Sequence, residues 1–178
     1  KELDLCYTKN LTELPDEIGN LINFTELDLS GSSIRSLPSS IGKLKDLKTL
    51  DLRYTKNLTS LPEGIGNLIN LTKLDLYGSS IRSLPSSIGK LKDLKTLDLC
   101  YTKNLTELPE GICKLTYLRS LKLAHSNVKK KVLYQLLSRR ARLGIEKRAT
   151  KLWPLFLADA VADFRGILRS YKHFGMEF

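Results

Sequence analysis

GSSIRSLPSSIGKLKDLKTLDL occupies residues 31–52 and returns without a change at residues 78–99, an offset of 47. Between the copies, YTKNLTSLPEGIGNLINLTKLDLYG (54–78) echoes YTKNLTELPDEIGNLINFTELDLSG (7–31) upstream and YTKNLTELPEGICKL (101–115) downstream. A chain written this way is a stack of similar units, not a globule around one pocket. Its function is therefore sought on a surface.

Each unit divides into shorter repeats that open at Phe24, Leu47, Leu71, Leu94 and Leu118, spaced 23, 24, 23 and 24 residues apart. They share LxxLDLxxxxxLxxLPxxIGxLxx, with one extra residue in the TKN version of the loop. Over residues 47–53, Leu50 and Leu52 alternate with Thr49, Asp51 and Arg53, and this period of two predicts a strand with leucines on one face. Leu58, Leu61, Ile65 and Leu68 then return to the same interior. Pro62 presets a tight helical turn or irregular segment on the outer side. One repeat cannot bury its leucines alone, so neighbours stack. Six parallel strands at sheet spacing would span roughly 24 Å.

This pattern resembles the leucine-rich repeat from residue 3 to about residue 128. LPxxIGxLxxL followed by LDLS or LDLxxT is similar to the repeats of intracellular plant disease-resistance receptors of the nucleotide-binding type, and to Ras-group leucine-rich repeat proteins. The GxIP signature of plant receptor-kinase ectodomains is absent. The resemblance implies an α/β fold: a leucine-rich-repeat solenoid with a parallel sheet on its concave face and a C-terminal helical cap. Where the family usually has Asn after the strand, this chain has Thr8, Ser32, Thr55, Ser79, Thr102 and Ser126, whose hydroxyls can bond loop backbone more weakly.

Two domains are expected: residues 1–128 as about six repeats, and residues 129–178 as a basic helical cap. Past Val128 the apolar residues Val132, Leu133, Leu136, Leu137 and Ala141 recur at helical steps, and a second helix is expected from about Pro154. Residues 1–123 carry 17 Lys and Arg against 15 Asp and Glu, whereas residues 124–178 carry 12 against 4. The basic face is compatible with an anionic membrane surface or nucleic acid, yet it lacks the aromatic interleaving of a nucleic-acid binder. Self-engagement, with this tail against an acidic concave face, is an alternative. Lys1 falls inside the first strand, so an upstream segment is expected.

Three cysteines and no cysteine-rich caps point to a reducing, cytoplasmic setting. Cys6 and Cys100 share a column roughly 19 Å apart at sheet spacing, too far for a disulfide. Five N-x-T sequons (Asn10, Asn23, Asn57, Asn70 and Asn104) come from two repeat positions. No metal, cofactor or catalytic constellation is expected. His125 and His173 lack metal-ligand spacing, PEGIGN is no phosphate loop, and Cys113 has no activating partner in sequence.

The outward columns carry the functional expectation. One reads Asp4, Asp28, Asp51, Asp75, Asp98, Lys122; neighbouring carboxylates at about 5 Å repel by roughly 0.8 kcal/mol even in water. That ladder invites cations or a basic partner, partly offset by Arg53, Lys73 and Lys122. A second reads Tyr7, Gly31, Tyr54, Gly78, Tyr101, His125, with glycines leaving shallow gaps between tyrosines about 10 Å apart. Tyrosine and arginine dominate interface energetics. These residues, with Tyr77, form the expected protein-binding surface. The resemblance implies an interaction module within a larger signalling or immune-receptor-like protein. The alternatives are a scaffold or regulator of a small GTPase or phosphatase, and the targeting domain of a larger enzyme.

Overall fold

The computed structural model describes residues 1–129. Six three-residue strands run in chain order: β1 (Glu2–Asp4), β2 (Glu26–Asp28), β3 (Thr49–Asp51), β4 (Lys73–Asp75), β5 (Thr96–Asp98) and β6 (Ser120–Lys122). They form one parallel sheet in which every neighbour in sequence is a neighbour in space. Leu3, Leu27, Leu50, Leu74, Leu97 and Leu121 face one another in register. The 23- and 24-residue spacing is thus a strand register. The boundary near residue 128 and the basic helical cap beyond it fall almost wholly outside the described residues.

The strands are shorter than the alternation suggested, because the chain turns soon after each aspartate. Inter-strand bonding nevertheless continues past the strand ends, as in Leu52 N–H to Asp75 O at 2.8 Å and Tyr54 N–H to Tyr77 O at 2.8 Å. Opposite the sheet lie five short 3-10 turns: Asp16–Asn20, Ser39–Lys43, Glu63–Asn67, Ser86–Lys90 and Glu110–Lys114. Each follows a proline with extended backbone, such as Pro62 at φ −70° and ψ 154°. Proline's fixed φ suits the entry to a turn that needs no N–H at that position.

Between sheet and turns lies one continuous leucine and isoleucine core. Leu50, Leu52, Leu58, Ile65 and Leu68 are fully buried and Leu61 nearly so. The turns stack as closely as the strands. A Cβ added at Gly66 would lie 2.5 Å from the Ser87 carbonyl oxygen, and one at Gly89 would lie 2.6 Å from that of Gly111. The glycine in LPxxIG is therefore demanded by the following repeat. Cys113 takes that position in the last turn, where no described repeat follows it.

Polar links between repeats add to the stack. Asn57, Asn70, Asn104 and Asn127 each donate a side-chain N–H to a carbonyl of the preceding repeat. Three of these are sequon asparagines, so a packing role accounts for their recurrence. Among the described residues, no helix is long and apolar enough to cross a membrane.

Candidate partner-binding face

The aspartate column does not behave as a hydrated ladder. Each carboxylate accepts the backbone N–H two residues ahead: Cys6 to Asp4 at 2.9 Å, Ser30 to Asp28 at 2.7 Å, Arg53 to Asp51 at 3.0 Å, Tyr77 to Asp75 at 3.2 Å and Cys100 to Asp98 at 3.0 Å. The aspartate thus closes the turn that ends its own strand, the local bond that favours Asp in turns. Asp51, Asp75 and Asp98 are buried.

Their charges are met within the chain. Arg53 pairs with Asp51 at 2.7 Å, Lys73 with Asp75 at 3.3 Å and Lys122 with Asp98 at 3.3 Å. The expected offset by Arg53, Lys73 and Lys122 is therefore realised as direct pairing, and three of the five carboxylates in the column are already neutralised. Within the column, Asp4 and Asp28 at the β1–β2 end have no ion pair among the described residues. Burial pushes the Asp75 carboxyl above its ordinary value, against the pull of the Tyr77 N–H and Lys73. Hydrogen bonding to Asp51 holds the Arg53 guanidinium charged, and Asp98 does the same for Lys122.

The tyrosine column is also different from its expectation. Tyr7, Tyr54, Tyr101 and His125 have φ of 54°, 58°, 59° and 57°, matching Gly31 at 64° and Gly78 at 63°. All six positions are left-handed, a conformation that disfavours residues with a Cβ. Glycine is the expected occupant there, so tyrosine and histidine hold strained backbone. Nor do the glycines leave gaps: a Cβ on Gly31 would meet the Tyr7 ring at 2.7 Å, and one on Gly78 the Tyr54 ring at 3.0 Å. The glycines let each ring lie over the next repeat.

Tyr77, one residue before this column, joins the rings into a ladder. Centroid separations are 5.3 Å for Tyr54–Tyr77, 5.1 Å for Tyr77–Tyr101 and 4.5 Å for Tyr101–His125. These lie in the range where aromatic pairs attract beyond their buried area. Tyr7 stands apart, because Ser30 occupies the position of Tyr77 in its neighbouring repeat. Tyr54 and Tyr101 remain 44 % and 41 % exposed, so the ladder presents aromatic surface to solvent.

Sequence reasoning passed over the lysines beside this ladder. The extra residue of the TKN loops carries Lys9, Lys56 and Lys103. Lys9 and Lys56 sit 5.9 Å and 5.8 Å from the Tyr7 and Tyr54 ring centroids. Lys56 also donates to the Gly78 carbonyl at 2.7 Å. The signal was visible as YTKN recurring three times, though only coordinates show ring and ammonium together. The loop hydroxyls behave as expected at Thr8, Ser32, Thr55 and Thr102, which donate to the carbonyl three residues back. Ser79 is the exception, its hydroxyl buried without a partner among the described residues.

The leucine-rich repeat region family matches residues 1–78 and 42–140, and this chain belongs to that family, a class typically of interaction modules rather than enzymes. Over 45 residues, a quarter of the chain, it is 44 % and 51 % identical to two probable disease resistance proteins of Arabidopsis thaliana. It spans only 6 % and 5 % of their lengths.

Among solved structures, it resembles a leucine-rich repeat protein of Leptospira interrogans, with TM-score 0.54 and 37 % identity over 65 % of this chain and 35 % of that one. It also resembles the ectodomain of an Arabidopsis thaliana plant membrane receptor kinase in complex with Casparian strip integrity factor 2. There the TM-score is 0.62, with 35 % identity over 70 % of this chain and 15 % of that one. What the fold and its relatives define is a protein-interaction module.

Proposed function

We propose that this chain recognises a protein partner through the outer face of its sheet, anchored on Tyr54, Tyr77, Tyr101 and His125, as part of a larger receptor-like signalling protein. The observation that carries the reading is the contiguous aromatic ladder, whose Tyr54, Tyr101 and His125 are exposed to solvent and held on strained backbone. Rigid, partly exposed aromatic side chains are the residues that dominate interface energies, and strain of this kind gathers at ligand-binding positions. Arg53, Lys73 and Lys122 flank the ladder on the strand side and supply a charged rim. The short matches to disease resistance proteins support the immune-signalling setting, and the receptor kinase ectodomain shows a similar solenoid serving recognition.

The test is a partner captured with the full chain and then titrated against Tyr54→Asn with Tyr101→Asn. Asparagine tolerates the left-handed backbone, so the change removes rings without disturbing the loops. Loss of at least about 2 kcal/mol, some thirtyfold in affinity, is expected for anchor residues. Unchanged affinity would take the ladder out of the interface.

A further inference from the structure

Beside the aromatic ladder, two TKN loops and the GSS loop between them enclose an open groove of about 410 Å³. Tyr54, Tyr77 and Tyr101 form one wall; Lys56, Lys103 and Asn104 form the loop side, and among the described residues no carboxylate lines it. Lys56 spends one of its three N–H donors on the Gly78 carbonyl, which fixes its ammonium over the groove with two donors to spare. Lys103 is exposed, with no ion pair among the described residues. The ion-paired Asp51, Asp75 and Asp98 offer little competing negative charge.

We infer that this groove seats an acidic, extended segment of the protein partner, with its apolar side chains on the tyrosines and its carboxylates on Lys56 and Lys103. The inference rests on the interaction reading above and adds the chemistry of the partner. Charge decides the occupant. Residues 124–178 of this chain carry 12 basic against 4 acidic side chains, and the whole chain is at +10. The basic tail and a second copy are both repelled from a lysine-lined groove, whereas an acidic partner is attracted. This also moves the expected electrostatic contact off the aspartate column, where the tail was a candidate, to the loops that follow the strands, with the opposite sign.

The experiment uses the full chain, labelled with ¹⁵N, and a blocked eight-residue peptide of alternating Glu and Leu. A Gln/Leu peptide of the same length is the control. The basic tail will attract any acidic peptide, so binding is read at the Gly78, Ser80 and Asn104 amides. Saturable shifts there with the Glu peptide, absent with the Gln peptide, are expected. Lys56→Gln with Lys103→Gln should weaken binding at those amides by about threefold or more, in keeping with two exposed ion pairs. Glutamine keeps a donor for the Gly78 carbonyl, so the loop stays closed. Lys45→Gln with Lys92→Gln, beside the 3-10 turns, should leave the groove affinity as it was.

Equal response to both peptides, no shift at the groove amides, or full affinity in the Lys56/Lys103 variant would each overturn the inference. Those results leave the anchor role of the ladder untouched. That role is judged by Tyr54→Asn with Tyr101→Asn against the captured partner, where both lysines are intact.

Discussion

Replacing Gly89 by alanine puts the stacking of repeats to a test in which the sign is informative. Gly89 has ordinary backbone, so considered locally the change should stabilise by about 0.4–1 kcal/mol through the unfolded chain. The neighbouring repeat reverses this. The new methyl would lie 2.6 Å from the Gly111 oxygen, 2.8 Å from its Cα and 3.0 Å from its carbonyl carbon. All three are backbone atoms, so no rotamer change relieves the contact and the turns Ser86–Lys90 and Glu110–Lys114 must separate. Overpacking of this kind costs roughly 1–3 kcal/mol. The net expectation is a destabilisation of about 1–2 kcal/mol. In a solenoid, where stability is a sum over neighbouring interfaces, one weakened interface should also broaden the transition. Guanidinium unfolding of the full chain followed by circular dichroism measures both. A midpoint equal to or above that of the parent protein would refute the account of the LPxxIG glycine as a stacking requirement.

Ser32 and Ser79 stand in sequence that is identical from the preceding glycine onward but differ in bonding, so Ser32→Ala should cost about 1 kcal/mol while Ser79→Ala should be neutral or stabilising; equal effects in urea melts would contradict this. Asp75 supplies a pH test. Its folded pKa is raised above the ordinary 3.8, so its stability contribution is full below that value and is lost as pH rises through the folded pKa. Asp75→Asn should therefore gain on the parent protein between pH 3 and pH 7, and a flat or opposite trend in urea midpoints would count against it. Tyr7 is exposed at φ 54° and lies outside the ladder. Tyr7→Asn should relieve left-handed strain and raise stability by up to about 1 kcal/mol, checked by the same melts.

Most of the scaffold was legible from spacing alone. The period of two at Leu50 and Leu52, the returning Leu58, Leu61, Ile65 and Leu68, and Pro62 at the turn all describe which atoms leave water, and burial is what periodicity reports. The strand lengths were overestimated because the same alternation runs on through Leu52, after the Asp51 carboxylate has begun to close the turn. The candidate face was only half legible. Tyr54, Tyr101 and His125 were placed in one column correctly, and Tyr77 was named beside them, but their joining into a ladder was not foreseen. The aspartates were assigned to solvent because a sequence shows a charge without showing the N–H that it accepts.

What the residues alone determined is the repeat, its register and its leucine interior, since each follows from positions a few residues apart within one coil. What only the folded stack decided lies between coils, among residues 23 or 24 positions apart. There the left-handed backbone of the tyrosine column, the tyrosine rings over Gly31 and Gly78, the glycines pressed on the next turn and the lysine-lined groove all arise. Those features depend on dihedral sign and on a neighbour's atoms, and neither is written in the hydrophobic pattern of a single repeat.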